Sequence, residues 1–281
     1  MRNKLAQEPK LNFFPAPKKS LGQNFLIDRA VLEKIVAAGE LKQEDWVLEI
    51  GPGRGFLTQV LLAKAGRVAA IEKDEILAEE LKKIFAKEIQ QGRLKILTGD
   101  ALEFDWEDFL AKEGIGSYKL IANIPYYITG KIFRIFQEAE RRPVWAVFLI
   151  QKEVAERIVA PVGQKSRLAI AAEYFSRNKI VGRVDRKSFF PVPGVDSAIL
   201  KMVFRKPEDL PHQGNSDRKN FFRLVKVGFA SRRKTLFNNL KAVYDQELII
   251  CGLSGLNLDL KIRAQALSLE DWLGLDKFLR T

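Results

Sequence analysis

Val47-Leu48-Glu49-Ile50-Gly51-Pro52-Gly53-Arg54-Gly55-Phe56-Leu57-Thr58 decides the fold of this chain. The apolar run Trp46–Ile50 reads as a short buried strand. Three glycines then stand at alternate positions, and Phe56-Leu57-Thr58-Gln59-Val60-Leu61-Leu62 carries apolar residues at helical spacing. Strand, glycine turn and helix open a nucleotide-binding βαβ unit. Glycine is required where a backbone turns sharply and a ligand lies against it without a Cβ in the way. The next apolar run, Arg67-Val68-Ala69-Ala70-Ile71, is the second strand and ends on Glu72. An acid there, about 20 residues past the first glycine, can grip ribose hydroxyls.

The glycine spacing discriminates between cofactors. Dinucleotide enzymes use G-x-G-x-x-G, whose third glycine packs helix on strand. This chain has E-x-G-x-G-x-G, and Phe56 occupies the position of that third glycine. Together with Glu49, the pattern resembles the first motif of the S-adenosylmethionine-dependent methyltransferases. The alternative is a glycine-rich turn in another α/β enzyme.

Composition narrows the class. The 281 residues suffice for one large or two modest domains, and 47% of them are hydrophobic. No apolar run reaches the ~20 residues of a membrane span, and the first residues lack an apolar signal segment. The lone Cys251 excludes internal disulfides and thiolate metal sites and suits a reducing cytoplasm. The lone histidine, His212, falls in a polar linker and suggests neither a metal site nor histidine-based catalysis. The expectation is a cytoplasmic monomer without metal or membrane. The net charge is +12, and residues 177–234 hold fifteen Lys and Arg against five Asp and Glu. Such clustering points to a polyanion partner, nucleic acid, because each phosphate contact releases counterions. A generally basic soluble surface is the alternative.

Along the chain, residues 1–17 are polar, contain Pro9, Pro15 and Pro17, and are expected to be a mobile extension. Lys18-Lys19-Ser20-Leu21-Gly22-Gln23-Asn24-Phe25-Leu26-Ile27-Asp28 is either an ordinary loop before a helix at 29–38 or one wall of a ligand site. Residues 75–90 read as one long helix, and 94–97 as a third strand leading to Thr98-Gly99-Asp100-Ala101. Asp100 either meets a ligand at that strand's carboxyl end or caps a helix. A fourth strand, 120–122, ends on Asn123-Ile124-Pro125-Tyr126. Pro125 holds Ile124 extended. Asn123 and the adjacent carbonyl can accept hydrogen bonds from an exocyclic amine while Tyr126 stacks on its base. An Asn-x-Pro turn with a core tyrosine is the alternative.

Asn-Ile-Pro-Tyr resembles the fourth motif of N6-adenine methyltransferases. With K-K-S-L-G-Q-N-F-L and E-I-G-P-G-R-G, the chain resembles the ribosomal RNA adenine dimethyltransferases. Further matches are 151–157 after a fifth strand at 145–150, Ser188-Phe189-Phe190-Pro191-Val192-Pro193-Gly194-Val195-Asp196-Ser197, and Phe229-Ala230-Ser231-Arg232-Arg233-Lys234-Thr235-Leu236 with 263–268. The resemblance covers 18–279 and is nearest to the small-subunit branch, which acts on two adjacent adenines near the 3′ end of that rRNA. Gly194 stands where the family usually has lysine, so a phosphate contact there does not carry over. The residues before Lys18 are not explained by the family.

The resemblance implies a Rossmann-like class I methyltransferase sheet of seven strands over 18–206. A linker at 207–217 and a small helical RNA-binding domain at 218–281 would follow. Residues 179–184 and 197–204 read as a hairpin around the proline loop. The resemblance assigns S-adenosylmethionine to Asn24, Leu26, Gly51, Gly53, Glu72, Asp100, Ala101 and Asn123. It assigns catalysis to Asn123, Ile124, Pro125, Tyr126 and Phe189, with the target adenine between Tyr126 and Phe189, and RNA contacts to Arg232, Arg233 and Lys234. The rival functions are a large-subunit dimethyltransferase and a non-catalytic RNA-binding assembly or transcription factor on the same scaffold. A nicotinamide oxidoreductase is opposed by the glycine spacing.

Overall fold

The computed structural model describes residues 16–18, 21–125 and 128–280. The expected mobile extension therefore lies, apart from Ala16 and Pro17, outside the described residues, and so does Tyr126. Two compact units divide the chain. The first runs up to Lys152 and resumes over Val181–Lys201; the second is Glu153–Ile180 with Met202 onward.

The first unit is built on β2 (Trp46–Ile50), β3 (Arg67–Glu72), β4 (Leu94–Thr98), β5 (Lys119–Asn123) and β6 (Trp145–Gln151). Their pairings, β4 on β3, β3 on β2, β2 on β5 and β5 on β6, are all parallel. β7 (Ser176–Val184) and β9 (Ser197–Phe204) extend the sheet to seven strands in the order β4-β3-β2-β5-β6-β9-β7. The chain first winds outward from β2 to β4 and then restarts at β5 on β2's other side. That reversal opens a crevice at the carboxyl ends of β2 and β5, where ligands of open parallel sheets bind. Val47, Leu48, Val68, Ala70, Leu120 and Val147 are fully buried, as expected for strands covered on both faces.

The helices start where the sequence caps them. α1 (Arg29–Ala38) is capped by Asp28, whose carboxylate accepts from the N–H groups of Ala30 and Val31. α2 (Phe56–Leu62) follows Gly55 directly. The single helix expected over 75–90 is two, α3 (Glu75–Ile84) and α4 (Ala86–Gln90). Phe85 breaks it at φ −102°, ψ 25°. Its ring is buried beneath the glycine turn, where a Cβ on Gly55 would come within 2.7 Å of it. α5 (Trp106–Lys112) and α6 (Thr129–Glu138) complete the unit's helices.

The expected hairpin is present as the neighbouring strands β9 and β7, but its connection does more than turn. Within it, β8 (Phe189–Phe190) pairs antiparallel with β1 (Phe25–Leu26), Phe25 opposite Phe190 and Leu26 opposite Phe189.

The second unit corrects the expected boundaries at 206 and 218. α7 (Lys152–Ile158), from Glu153, and α8 (Arg167–Phe175) group with α9 (Asn215–Gly228), α10 (Leu236–Leu240), α11 (Gln246–Gly255) and α12 (Leu269–Leu279). The reason is packing. Ile170, Tyr174 and Phe175 of α8 share one core with Phe221, Leu224, Leu253 and Trp272. The expected linker is also shorter, since α9 begins at Asn215 and Leu210 is buried in that core. His212 is not a loose linker residue. Its Nδ1 lies 3.0 Å from the Tyr174 hydroxyl and its Nε2 3.1 Å from Asp276.

Candidate active site

The glycine turn closes on backbone conformations that only glycine adopts freely. Gly51, Gly53 and Gly55 have φ of +68°, +56° and +77°. Their N–H groups are placed by three acceptors: the Ile71 carbonyl for Gly51 at 3.0 Å, Glu72 Oε2 for Gly53 at 3.0 Å and the Pro52 carbonyl for Gly55 at 2.9 Å. Glu72 is thus a structural acid as well as a candidate ligand group. Its other oxygen accepts from the Asp74 N–H at 2.9 Å. Burial raises its carboxyl pKa, and the hydrogen bonds from Asp74, Gly53 and Lys73 oppose that rise.

Glu49 lies beneath the turn, fully buried, and accepts from the Thr58 hydroxyl at 2.7 Å. Burial pushes its carboxyl up to about 8, against the Thr58 hydrogen bond and with help from the nearby Glu72. It is protonated at neutral pH.

A strap over residues 21–26 forms one wall of the crevice. Its inner anchor is Asn24, whose carbonyl accepts from Asn123 Nδ2 at 3.3 Å. That bond turns the Asn123 amide nitrogen toward the strap, so its oxygen is the acceptor on the other side. Its outer anchor is Asp74, which accepts from Lys18 Nζ at 2.9 Å and Gln23 Nε2 at 3.1 Å. Burial alone would raise the Asp74 carboxyl, but these bonds hold it below its ordinary value. Gln23 is therefore a brace rather than a free recognition group.

Asp100 follows β4. It does not cap a helix, since Asp105 caps α5. Its Oδ1 accepts from the Leu102 N–H at 2.9 Å and its Oδ2 from Lys73 Nζ at 2.7 Å, contacts that outweigh burial and keep the carboxyl below its usual range.

These parts enclose one cleft with a cavity volume of about 120 Å³. Asn24, Gly51, Gly53, Glu72, Asp100, Ala101, Asn123, Ile124, Pro125 and Phe189 all line it. Leu26 does not: its side chain is buried in the core behind the strap, because on a strand it points opposite to Phe25. The expectation for Tyr126 lies outside the described residues. Arg232, Arg233 and Lys234 are exposed on a turn of the second unit between α9 and α10. Asn239 holds that turn, donating to the carbonyls of Gly228 at 2.7 Å and Ser231 at 3.0 Å.

Phe25, within the stretch read as either a loop or a ligand-site wall, also lines the cleft, as do Lys73, Leu77, Leu102 and Ile128, which were not picked out from the sequence. Of the latter, only Lys73, adjacent to Glu72, carried a signal. The others are ordinary apolar residues until the fold brings them together. Acids thus stand at the ends of β3 and β4 and an amide at the end of β5, against apolar walls. The set suits a ligand with vicinal hydroxyls, an exocyclic amine and a flat apolar face. Among the described residues, no cluster of His, Cys, Asp and Glu could hold a metal ion. No helix there is long and apolar enough to cross a membrane.

The chain is similar to known proteins over most of its length. Residues 16–280 match the family model described as ribosomal RNA adenine dimethylase. A protein from Dehalococcoides mccartyi (strain CBDB1) named ribosomal RNA small subunit methyltransferase A is 40% identical over 257 residues, covering 91% of this chain and 86% of its own. One of the same name from Mycoplasmopsis pulmonis is 37% identical, covering 94% and 99%. Among solved structures, a dimethyladenosine transferase from Plasmodium falciparum superposes with TM-score 0.75 at 29% identity, covering 89% of this chain and 95% of its own. The 23S rRNA methyltransferase ErmE superposes with TM-score 0.73 at 26% identity, covering 92% and 100%. The fold is that of the class I methyltransferases, and the chain belongs to the ribosomal RNA adenine dimethylase family.

Proposed function

We propose that the protein uses S-adenosylmethionine to dimethylate the N6 amine of adenines in small-subunit ribosomal RNA. The observation that carries this is the arrangement of Glu72, Asp100 and Asn123 at the carboxyl ends of β3, β4 and β5, on both sides of β2, around one glycine-turned cleft. The names of relatives at 37–40% identity support the small subunit as the target.

The cleft fits the cofactor. Gly51 and Gly53 present bare backbone, Glu72 would accept from ribose hydroxyls, and Asp100 with the Ala101 backbone would take the adenine amine. Leu77 and Leu102 offer apolar surface to the base. When bound, S-adenosylmethionine supplies an electrophilic methyl group on its sulfonium. The chain's own residues orient the acceptor. Asn123 and the Ile124 carbonyl would accept hydrogen bonds from the target amine, and Phe189, buried in the cleft lining, would cover its base. Fixing the amine in this way supplies rate through proximity and orientation. No strong base is needed, because the nitrogen becomes acidic only after it gains the methyl group and water can take the proton. Tyr126 is assigned to base stacking by the sequence motif.

The exposed turn at Arg232, Arg233 and Lys234 and the basic excess of residues 177–234 support contact with RNA phosphates. The same reading makes the protein a cytoplasmic monomer; its lone Cys251 suits a reducing compartment. A large-subunit target is the second reading, favoured by the ErmE superposition. The test is methyl transfer from labelled cofactor to purified immature small and large subunits, with the modified bases mapped. Dimethyladenosine in the small subunit alone is expected. Label only in the large subunit selects the second reading, and label in neither refutes both.

A further inference from the structure

We propose that Arg54 is a positioning residue that latches the substrate-facing edge of the cleft to the glycine turn. The proposal rests on the function proposed above for what the two sides of the cleft hold, and on geometry for the latch itself. Arg54 sits between Gly53 and Gly55, is only 6% exposed, and does not line the cleft. Its guanidinium carbon lies 4.7 Å from the Phe25 ring centre and 5.8 Å from that of Phe190. Those two rings are opposite partners in the β1–β8 ladder. The guanidinium is thus held against both strands of the ribbon by cation–π attraction, which strengthens where water is excluded.

The ribbon carries the cleft's substrate wall. Phe25 and Phe189 both line the cleft, one from each strand. The ladder continues past them, with the Ile27 N–H donating to the Ser188 carbonyl at 2.9 Å and the Ser188 hydroxyl to Asp28 at 2.9 Å. The ribbon is short, two residues on each strand, and such a pair is marginal without support. The glycine turn does not depend on it. Its N–H groups are held by Ile71, Glu72 and Pro52. Arg54 therefore fixes Phe189 relative to the turn without fixing the turn, and its loss should separate substrate positioning from cofactor binding.

The experiment uses the full chain with Arg54→Met, Arg54→Lys and Phe190→Leu. Amide hydrogen exchange of the protein alone is read at residues 25–28 and 188–190 against residues 51–55. Exchange in the ribbon should rise about tenfold in Arg54→Met and in Phe190→Leu, with residues 51–55 unchanged. Arg54→Lys, which keeps the cation, should recover part of the protection. Calorimetry with S-adenosylhomocysteine should give affinities within about threefold of the unsubstituted protein, while kcat/KM for the RNA falls about tenfold. Unchanged ribbon exchange overturns the latch whatever the activity shows. So does equal loss of cofactor and RNA binding, the signature of a general structural role. If the unsubstituted protein transfers no methyl group, the proposed function falls while the exchange data still decide the latch.

Discussion

The glycine turn and the strap face each other across the same cleft and are held in opposite ways. Every bond that places the turn reaches a neighbour along the βαβ unit, the longest from Gly51 to Ile71, 20 residues away. The strap is placed by residues far along the chain: Asn123, 99 positions on, and the Ser188–Phe190 segment, where the Ser188–Asp28 bond spans 160. The turn is a conformational requirement written into a local sequence. The strap is ordinary chain that becomes a wall only when three other segments arrive. The comparison teaches that one wall of the cleft, the turn, is locally encoded and the other, the strap, is assembled.

The sharpest way to break the comparison is at Glu72, where turn and ligand contacts share one carboxylate. Glu72→Ala should weaken S-adenosylhomocysteine binding by at least roughly 100-fold, because charge-assisted hydrogen bonds are lost. Loss of binding without unfolding is the simple expectation for a ligand acid. The structure adds a cost in stability of about 1–3 kcal/mol for each backbone N–H left unpaired at Gly53 and Asp74. Calorimetry and thermal melting together check this; unchanged affinity removes Glu72 from the cofactor site.

Asn123 comes next, because it serves both sides. Asn123→Ala should cut methyl transfer roughly 100-fold through a misplaced amine, while cofactor affinity changes less than about tenfold. Single-turnover kinetics beside a binding titration separates the two. Equal losses in both would show that Asn123 acts only by holding the strap.

The glycines sharpen the contrast. Gly51→Ala meets left-handed strain of roughly 1–2 kcal/mol, with its new Cβ no nearer than 3.6 Å to another heavy atom. Gly53→Ala meets that strain and would also bring its Cβ within 2.9 Å of the Phe25 ring. It should melt lower than Gly51→Ala and loosen the strap as well. Equal melting temperatures would mean that the strap yields freely to the turn.

Glu49→Gln tests the buried acid under the turn by its pH dependence. A carboxyl whose folded pKa is raised to about 8 keeps its proton in the folded state while the unfolded chain releases it. Stability should therefore fall as pH rises from about 4.5 to 8, and the amide should remove that fall. Identical pH profiles for the two proteins would place Glu49 as a carboxylate.

The smallest effect is at the strap's outer anchor. Gln23→Ala should cost about 1 kcal/mol at neutral pH. The folded Asp74 pKa is depressed, so its contribution is present above the unfolded value near 3.9 and is lost as pH falls through the folded one. Urea unfolding at pH 7 and below pH 3 should show the difference between Gln23→Ala and the parent shrinking in acid.

By itself the sequence determined the order of strands, the glycine turn, the acid at the end of β3 and the amide at the end of β5. Each of these is a short-range statement, a hydrophobic period or a residue type at a fixed offset, and neighbouring residues suffice to express it. It also marked the family, because the motifs occur in a fixed order along most of the chain. Three things only the tertiary structure decided. Phe85 splits one helical pattern in two, because its ring is needed under Gly55. α8 joins the second unit's core, because its buried face matches Phe221 and Trp272 better than any local signal could announce. Phe25 points into the cleft and Leu26 into the core, because the two-residue ladder with β8 sets which side of the strap points inward. Side chains alternate along a strand, so the choice of face belongs to the register, and the register belongs to a partner more than 160 residues away.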